Sequence, residues 1–305
     1  MIMNKPVLSL CLPTNGVSEW VFPVLESVYS QNVDLSLFEV VVTNNGDNPD
    51  FEKRIEEYAS QKKNLIYKKT KAFLFKNQIE ALRLSSGEYL KFLNHRAIME
   101  KGSLEWMINL VNTYKTEKPV MYLSNGALNK KQVFETDSFD LFVRELREFA
   151  SWTTGVGVWK SDFEKIPKDK VYNKISPHSD VLFAERKKSK YIIDDKIWNH
   201  EIDTNHKNKG TYDLFKAFGI EELSITLGLY LDGDISIDTL KYIKKNYEKL
   251  IIKFYRDFVI LKRPCSYNLS SFKKSVSIFF NPAAIQIKAY FSFIPVVFKK
   301  LFRIN

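Results

Sequence analysis

The chain has 305 residues, with 46 Lys and Arg against 36 Asp and Glu for a formal net charge of +10, and 45% of its residues are hydrophobic. Such apolar content, with 23 Phe and 15 Tyr, excludes a disordered chain. Two distant cysteines, Cys11 and Cys265, with no CxxC pair, exclude a disulfide framework and a structural zinc site, which points to a reducing compartment. The length suits two domains, or one α/β domain with an appendage.

Residues 6–14 form a short apolar run suited to a buried strand. From Ser18 to Gln31 the apolar residues Val21, Phe22, Val24, Leu25, Val28 and Tyr29 recur at helical spacing, with Ser18 placed as the cap. Phe38–Thr43 is rich in β-branched residues and ends at the turn Asn44-Asn45-Gly46-Asp47. Helix at 50–61, strand at Asn64–Lys68, helix at Lys76–Ser85 and strand at Glu88–Leu93 continue the alternation, which predicts a parallel, helix-covered sheet working at its carboxyl edge. The residues at that edge are Pro13–Gly16, Asn44–Asp47 and Asn94–Ala97.

After a helix at Ser103–Tyr114 and a strand at Val120–Ser124 the pattern loosens. Ser151–Trp159 mixes two tryptophans, two glycines and hydroxyl residues, which suits either a close-approach site for a ligand or a bulged strand with Trp in the core. Ile175–Glu185 and the strand-like Tyr191–Ile193 follow. From Tyr212 onward the chain reads as helices, the longest at Ile237–Phe258.

Residues 270–305 differ from the rest. Phe272, Phe279, Phe280, Tyr290, Phe291, Phe293, Phe298 and Phe302 alternate with Lys273, Lys274, Lys288, Lys299, Lys300 and Arg303, and there is no carboxylate. That composition suits a segment lying in a membrane interface, broken into short pieces by Pro282 and Pro295. The competing expectation is a helix pair packed on the protein's own core. No secretory pattern opens the chain and no apolar run reaches the ~18 residues of a membrane span, so the expected location is cytoplasmic, peripheral at the inner face of the membrane. No nucleic-acid module is recognisable, and nucleic acid is not an expected partner.

Leu8–Thr14, Leu25–Gln31, Phe38–Gly46, Asn77, Ala81 and Ser86-Gly87-Glu88-Tyr89-Leu90 with Phe92-Leu93 together resemble the family-2 glycosyltransferases of the GT-A fold, in particular bacterial enzymes of surface-polysaccharide assembly. The resemblance covers about residues 6–112 well and 150–198 loosely. It implies a GT-A, Rossmann-like α/β fold with a mostly parallel sheet and a C-terminal helical extension. The expected domains are 1–205 for transfer, divided into a nucleotide-sugar half (1–125) and an acceptor half (126–205), and 206–305 for the helical region with its basic aromatic tail. It also implies inverting transfer of a sugar from a nucleotide diphosphate sugar to a hydroxyl of a lipid-linked glycan, in O-antigen or capsule synthesis.

The same resemblance implies donor contacts from Pro13, Thr14, Asn44, Asn45, Asn77, His95 and Arg96, with Asn44 standing where the family has an aspartate. At the metal loop the family carries a run of aspartates, and this chain has Asn94-His95-Arg96-Ala97. The Mn²⁺ or Mg²⁺ usual in the family wants oxygen ligands that Arg96 and Ala97 lack. Three readings stay open: a metal-independent enzyme in which Arg96, helped by His95, supplies the cation; a metal site rebuilt from His95 and a carboxylate such as Asp47 or Asp180; or a noncatalytic binding or assembly partner in the same pathway. Asp180 lies where related enzymes place the catalytic base, with His178 to orient or replace it and Asp194-Asp195 as a weaker alternative. Trp152, Thr154 and Gly155 are the expected acceptor wall.

Overall fold

Strand and helix alternate through the first hundred residues as the periodicity requires. In chain order the elements are β1 (Leu8–Thr14), α1 (Ser18–Tyr29), β2 (Phe38–Asn44), α2 (Pro49–Ser60), β3 (Leu65–Lys69), α3 (Asn77–Leu84), β4 (Tyr89–Phe92), β5 (Ala97–Met99) and α4 (Ser103–Tyr114). There follow β6 (Val120–Leu123), β7 (Phe134–Thr136), α5 (Phe139–Leu146), β8 (Gly157–Trp159), α6 (Lys160–Phe163), α7 (Pro177–Leu182), β9 (Tyr191–Asp194) and β10 (Asn199–Glu201). This computed structural model describes residues 5–130, 132–203 and 210–301, with side chains through Ser292.

The main sheet has the order β3-β2-β1-β4-β8, parallel except for β8, which runs antiparallel to β4. Leu8, Leu10 and Leu12 alternate along β1 and pack with Val21, Val24, Leu25 and Val28 of α1 and with Leu104, Met107, Ile108 and Val111 of α4. Burying each such side chain contributes about 1.5–3 kcal/mol. On the opposite face of β1, Cys11 Sγ lies 3.1 Å from Ser85 Oγ at the end of α3. The buried Glu39 carboxylate accepts from Ser9 Oγ (2.6 Å), Ser86 N (2.5 Å), Ser86 Oγ (2.8 Å) and Gly87 N (3.2 Å), tying β1, β2 and the approach to β4 together. A second sheet has the order β6-β9-β7, and β5 pairs with β10.

The chain divides into two compact units, 1–142 with 149–202, and 143–148 with 203–305. The expected boundary at 205 lies outside the described residues. The second unit contains α8 (Leu214–Lys216), a π-turn at Ala217–Glu221, α9 (Glu222–Leu231), α10 (Ile237–Phe254), a π-turn at Tyr255–Ile260, α11 (Phe272–Val276) and α12 (Pro282–Leu301). Its core joins Phe215, Ile251, Tyr255, Phe272, Val276, Ile285 and Ala289.

Three local expectations are corrected. Ser18 is the first helical residue of α1, whose cap position is Val17, with no side-chain cap. Pro282 opens α12 instead of breaking it, since the N–H that proline lacks has no helical partner in the first turn, and the helix continues through Pro295. Phe272 is core. Of the two tryptophans at 152 and 159, only Trp159 is core; Trp152 is 47% exposed. The side chains of Phe293, Phe298, Lys299 and Lys300, and Phe302 and Arg303 altogether, lie outside the described residues.

Candidate functional site

Because β1 to β4 are parallel neighbours, their carboxyl ends form one edge. Asn77, at the start of α3, holds that edge together. Its Nδ2 donates to Thr14 O (3.1 Å) and Thr43 O (2.7 Å), while its Oδ1 accepts from Thr70 Oγ1 (2.8 Å). With its amide so occupied and buried, Asn77 positions the edge without facing a ligand. Asn44 is fully buried; its Oδ1 accepts from Gly46 N (2.9 Å). Asn45 N donates to Thr14 O (3.1 Å), and its Nδ2 donates to Ala72 O and Leu74 O, both at 2.9 Å. Gly46 is obligatory here, because a Cβ on it would lie 1.8 Å from Asn15 O. Pro13 is half-buried and sits past the last β1–β4 register pair, Cys11 with Phe92.

Thr14 links these turns to the loop after β4. Its Oγ1 accepts from Gly16 N (3.1 Å) and lies 2.9 Å from His95 Nδ1. Burial and the neighbouring Arg96 push the His95 imidazole down to about 3, so the ring is neutral at working pH. In the tautomer whose Nδ1 accepts the Thr14 O–H hydrogen bond, the neutral ring carries its proton on Nε2. The Trp20 indole packs edge-on against His95, with centroids 5.1 Å apart, and lies 5.3 Å from the Arg96 guanidinium carbon.

Arg96 is the unusual residue of the edge. It is 8% exposed, and its buried Nε and Nη1 have no hydrogen-bond partner among the described residues. Leaving a buried donor unmatched costs about 1–3 kcal/mol, more for a charged group, so such a cation is poised for an anion. Its backbone is fixed on both sides: Arg96 N donates to Asn94 Oδ1 (3.0 Å) and Arg96 O accepts from Ile202 N (2.9 Å).

The donor set does not fit a divalent metal. No three His, Cys, Asp or Glu side chains converge among the described residues. His95 is bounded by Thr14, Trp20 and Arg96, the exposed Asp47 pairs with Lys69 at 3.5 Å, and Asp180 is engaged with Asn173. The rebuilt metal site considered from the sequence is therefore not assembled here.

On α7, Asp180 Oδ2 accepts from Asn173 N (2.5 Å), and burial raises its carboxyl above the ordinary range despite that N–H and the cations Lys170 and Arg186. Asp180 lies inside the helix and does not cap it. His178 is buried with Nε2 2.8 Å from Ser151 O and Nδ1 3.1 Å from Gln78 Oε1. Burial pushes the ring down to about 4. A neutral imidazole cannot donate from both nitrogens, so the Gln78 amide must present its NH₂ to Nδ1. Both ring nitrogens are thus occupied, and His178 positions α7 against α3 instead of exchanging protons. Asp195 anchors a loop by accepting from Ser124 Oγ (2.5 Å), Leu128 N (3.2 Å) and Lys130 N (2.6 Å).

In the expected acceptor wall, Trp152 presents an exposed face whose ring meets Phe149 edge-on at 4.9 Å. Gly155 has a different reason to be glycine: a Cβ there would lie 2.1 Å from the Tyr122 ring. It is buried against that ring and offers no backbone to a ligand. Thr154 contributes its carbonyl to Lys91 Nζ.

Lys91 escaped the sequence reading. It is fully buried on β4, donates to the carbonyls of Thr154, Val156 (3.2 Å) and Phe92 (3.2 Å), and lies 4.8 Å from the Trp198 ring. Burial without a carboxylate partner pushes it down to about 7. A lysine inside the apolar run Tyr89–Leu93 was the available signal.

Residues 9–156, just under half the chain, match the family model described as glycosyl transferase family 2. Among solved structures, 143 chains match. The crystal structure of S. aureus TarS aligns at TM-score 0.56 and 14% identity, covering 81% of this chain and 43% of that one. Its fragment 1–349 aligns at 0.57 and 14% in complex with UDP-GlcNAc, and at 0.55 and 15% in complex with UDP, covering 81% of this chain and 72% and 71% of those. The chain thus spans less than half the length of the longer TarS chain. Among curated proteins there is no sequence match. The fold that the sequence resemblance implied is the fold observed.

Proposed function

We propose that this chain, a family 2 glycosyltransferase of the GT-A fold, is an inverting enzyme that draws its sugar from a UDP-sugar and uses Arg96 in place of a metal ion. The observation that carries this reading is the buried Arg96 guanidinium with two unmatched nitrogens at the carboxyl edge. A donor diphosphate would accept from Nε and Nη1, and His95 Nε2–H would add a neutral donor beside them. As the bond to the anomeric carbon breaks, charge grows on the departing diphosphate, and a fixed cation there lowers the barrier. The acceptor oxygen attacks from the opposite face and its proton passes to Asp180, whose burial makes it a better proton acceptor than an ordinary carboxylate. Trp152 is our candidate to stack on the acceptor sugar. The UDP-GlcNAc complex of TarS supports the choice of donor.

For the acceptor we propose a lipid-linked glycan of O-antigen or capsule assembly, reached from the inner membrane face. Supporting this, α12 exposes Ile287, Tyr290 and Phe291, the segment after α11 exposes Ile278, and Lys273 and Lys274 of α11 are exposed, whereas Lys288 of α12 pairs with Glu248. No helix among the described residues is long and apolar enough to cross a membrane.

Calorimetric titration with UDP, with and without Mn²⁺, tests the reading. We expect metal-free binding that Arg96→Ala weakens by about 10- to 100-fold, the range of a charge-assisted hydrogen bond. Binding that needs Mn²⁺, or that survives Arg96→Ala unchanged, refutes it. Absence of binding in every condition would favour the noncatalytic partner instead.

A further inference from the structure

The loop joining β3 to α3 carries an aromatic side chain that the fold does not use. Phe73 is 65% exposed and its neighbour Leu74 is 44% exposed. Isolated apolar residues are ordinary on a surface, but this pair is held in place. Asn45 Nδ2 donates to the carbonyls on either side of Phe73, those of Ala72 and Leu74, both at 2.9 Å. Leu74 has φ +48°, a left-handed conformation that a leucine adopts only when its surroundings impose it. The ring therefore stands out from a loop whose backbone is pinned.

What it is pinned to gives the location meaning. Asn45 N donates to Thr14 O, Thr14 Oγ1 meets His95 Nδ1, and Arg96 follows His95. An exposed aromatic ring and a buried, unmatched guanidinium thus stand at the two ends of one hydrogen-bonded rim. In the order β3-β2-β1-β4 their strands are three steps apart, about 14 Å at ~4.8 Å per step. A ligand with a planar heterocycle at one end and a diphosphate at the other matches those ends. Between them runs the Asn44-Asn45-Gly46 turn, whose side-chain amides are spent on holding the rim together: Asn44 Oδ1 on Gly46 N, and Asn45 Nδ2 on Ala72 O and Leu74 O.

We infer that Phe73 is the platform on which the nucleobase of the donor stacks, an inference that rests on the UDP-sugar reading above. Stacking reads the face of a base, so the ring contributes affinity for any nucleoside, while its pinned backbone spares the ordering cost that a mobile aromatic would carry.

The test is calorimetry of wild type, Phe73→Ala and Phe73→Tyr with two probes, UDP and pyrophosphate. Phe73→Ala should weaken UDP about tenfold or more while leaving pyrophosphate affinity and the melting temperature unchanged, and Phe73→Tyr should restore UDP binding. Equal UDP affinity in wild type and Phe73→Ala overturns the platform and leaves the donor-site reading standing, as would equal loss for both probes. Wild type that binds neither probe overturns that reading, and the platform with it.

Discussion

Two buried cations in this chain are treated in opposite ways. Among the described residues, Arg96 keeps unmatched donors at the carboxyl edge, whereas Lys91 is fully matched by three carbonyls and the Trp198 ring, with no carboxylate among its partners to hold its proton. The folded lysine titrates near 7 and the unfolded one near 10.5. Between those values the unfolded chain binds more protons, so this group makes stability rise with pH from about 7 to 10.5 and imposes a constant penalty below 7. Denaturant unfolding of wild type and Lys91→Met at pH 7, 8 and 9 checks this. Wild type should gain on the variant by up to about 1.4 kcal/mol per pH unit, and parallel profiles would show that Lys91 keeps its ordinary affinity for protons. His95 and His178 are neutral in the folded chain, so they add to the slope only at the foot of that window, where unfolded imidazoles with their ordinary value of 6.5 still hold some proton, and that contribution cancels between wild type and variant.

At the scale of elements, the Glu39 carboxylate is the fastening between β1, β2 and the Ser86-Gly87 approach to β4. Glu39→Gln keeps the shape but turns an NH₂ toward donors that need an acceptor. It should cost about 2–4 kcal/mol in denaturant unfolding, and a loss under 1 kcal/mol would show that the fastening is dispensable. This stretch was also where the sequence was most legible. Leu8-Leu10-Leu12 and Val21-Val24-Leu25-Val28 carry periods of two and of three to four, because each element buries one face on the other. In the second sheet, β6 and β9 were legible as short apolar runs at Val120–Ser124 and Tyr191–Ile193, whereas β7, three residues long and half-exposed, is too short for a period to emerge. Within the site, the positions at strand ends followed from order and spacing, but the work each side chain does there did not. Asn77 and His178 are polar residues whose hydrogen bonds named above are all internal, and Phe73 is an apolar residue left 65% exposed. All but one of those partners, Thr70, lie 27 to 100 positions away along the chain, which no local pattern encodes.

Over the whole molecule, the net charge of +10 and the carboxylate-free stretch from residue 270 onward suit an anionic surface. In the membrane contact proposed above, the α12 face with Ile287, Tyr290 and Phe291 exposed would add an apolar component. In flotation with vesicles, the chain should associate with phosphatidylglycerol-containing bilayers and far less with phosphatidylcholine alone. Replacing Ile287, Tyr290 and Phe291 together by Ser should release it without changing UDP affinity, and unchanged flotation would move the attachment elsewhere. The division into units also has a practical side. The helical unit takes residues 143–148 from within the sequence of the first unit, and Arg144 lies 4.5 Å from the Tyr242 ring within the helical unit. A fragment cut after residue 202 would carry these six residues without the remainder of their unit, including the ring on which Arg144 rests. Removing the helical unit for crystallisation or for an assay is therefore not a neutral edit: it leaves a severed segment inside the piece that is kept, and solubility or activity lost on that truncation would not by itself report on the membrane.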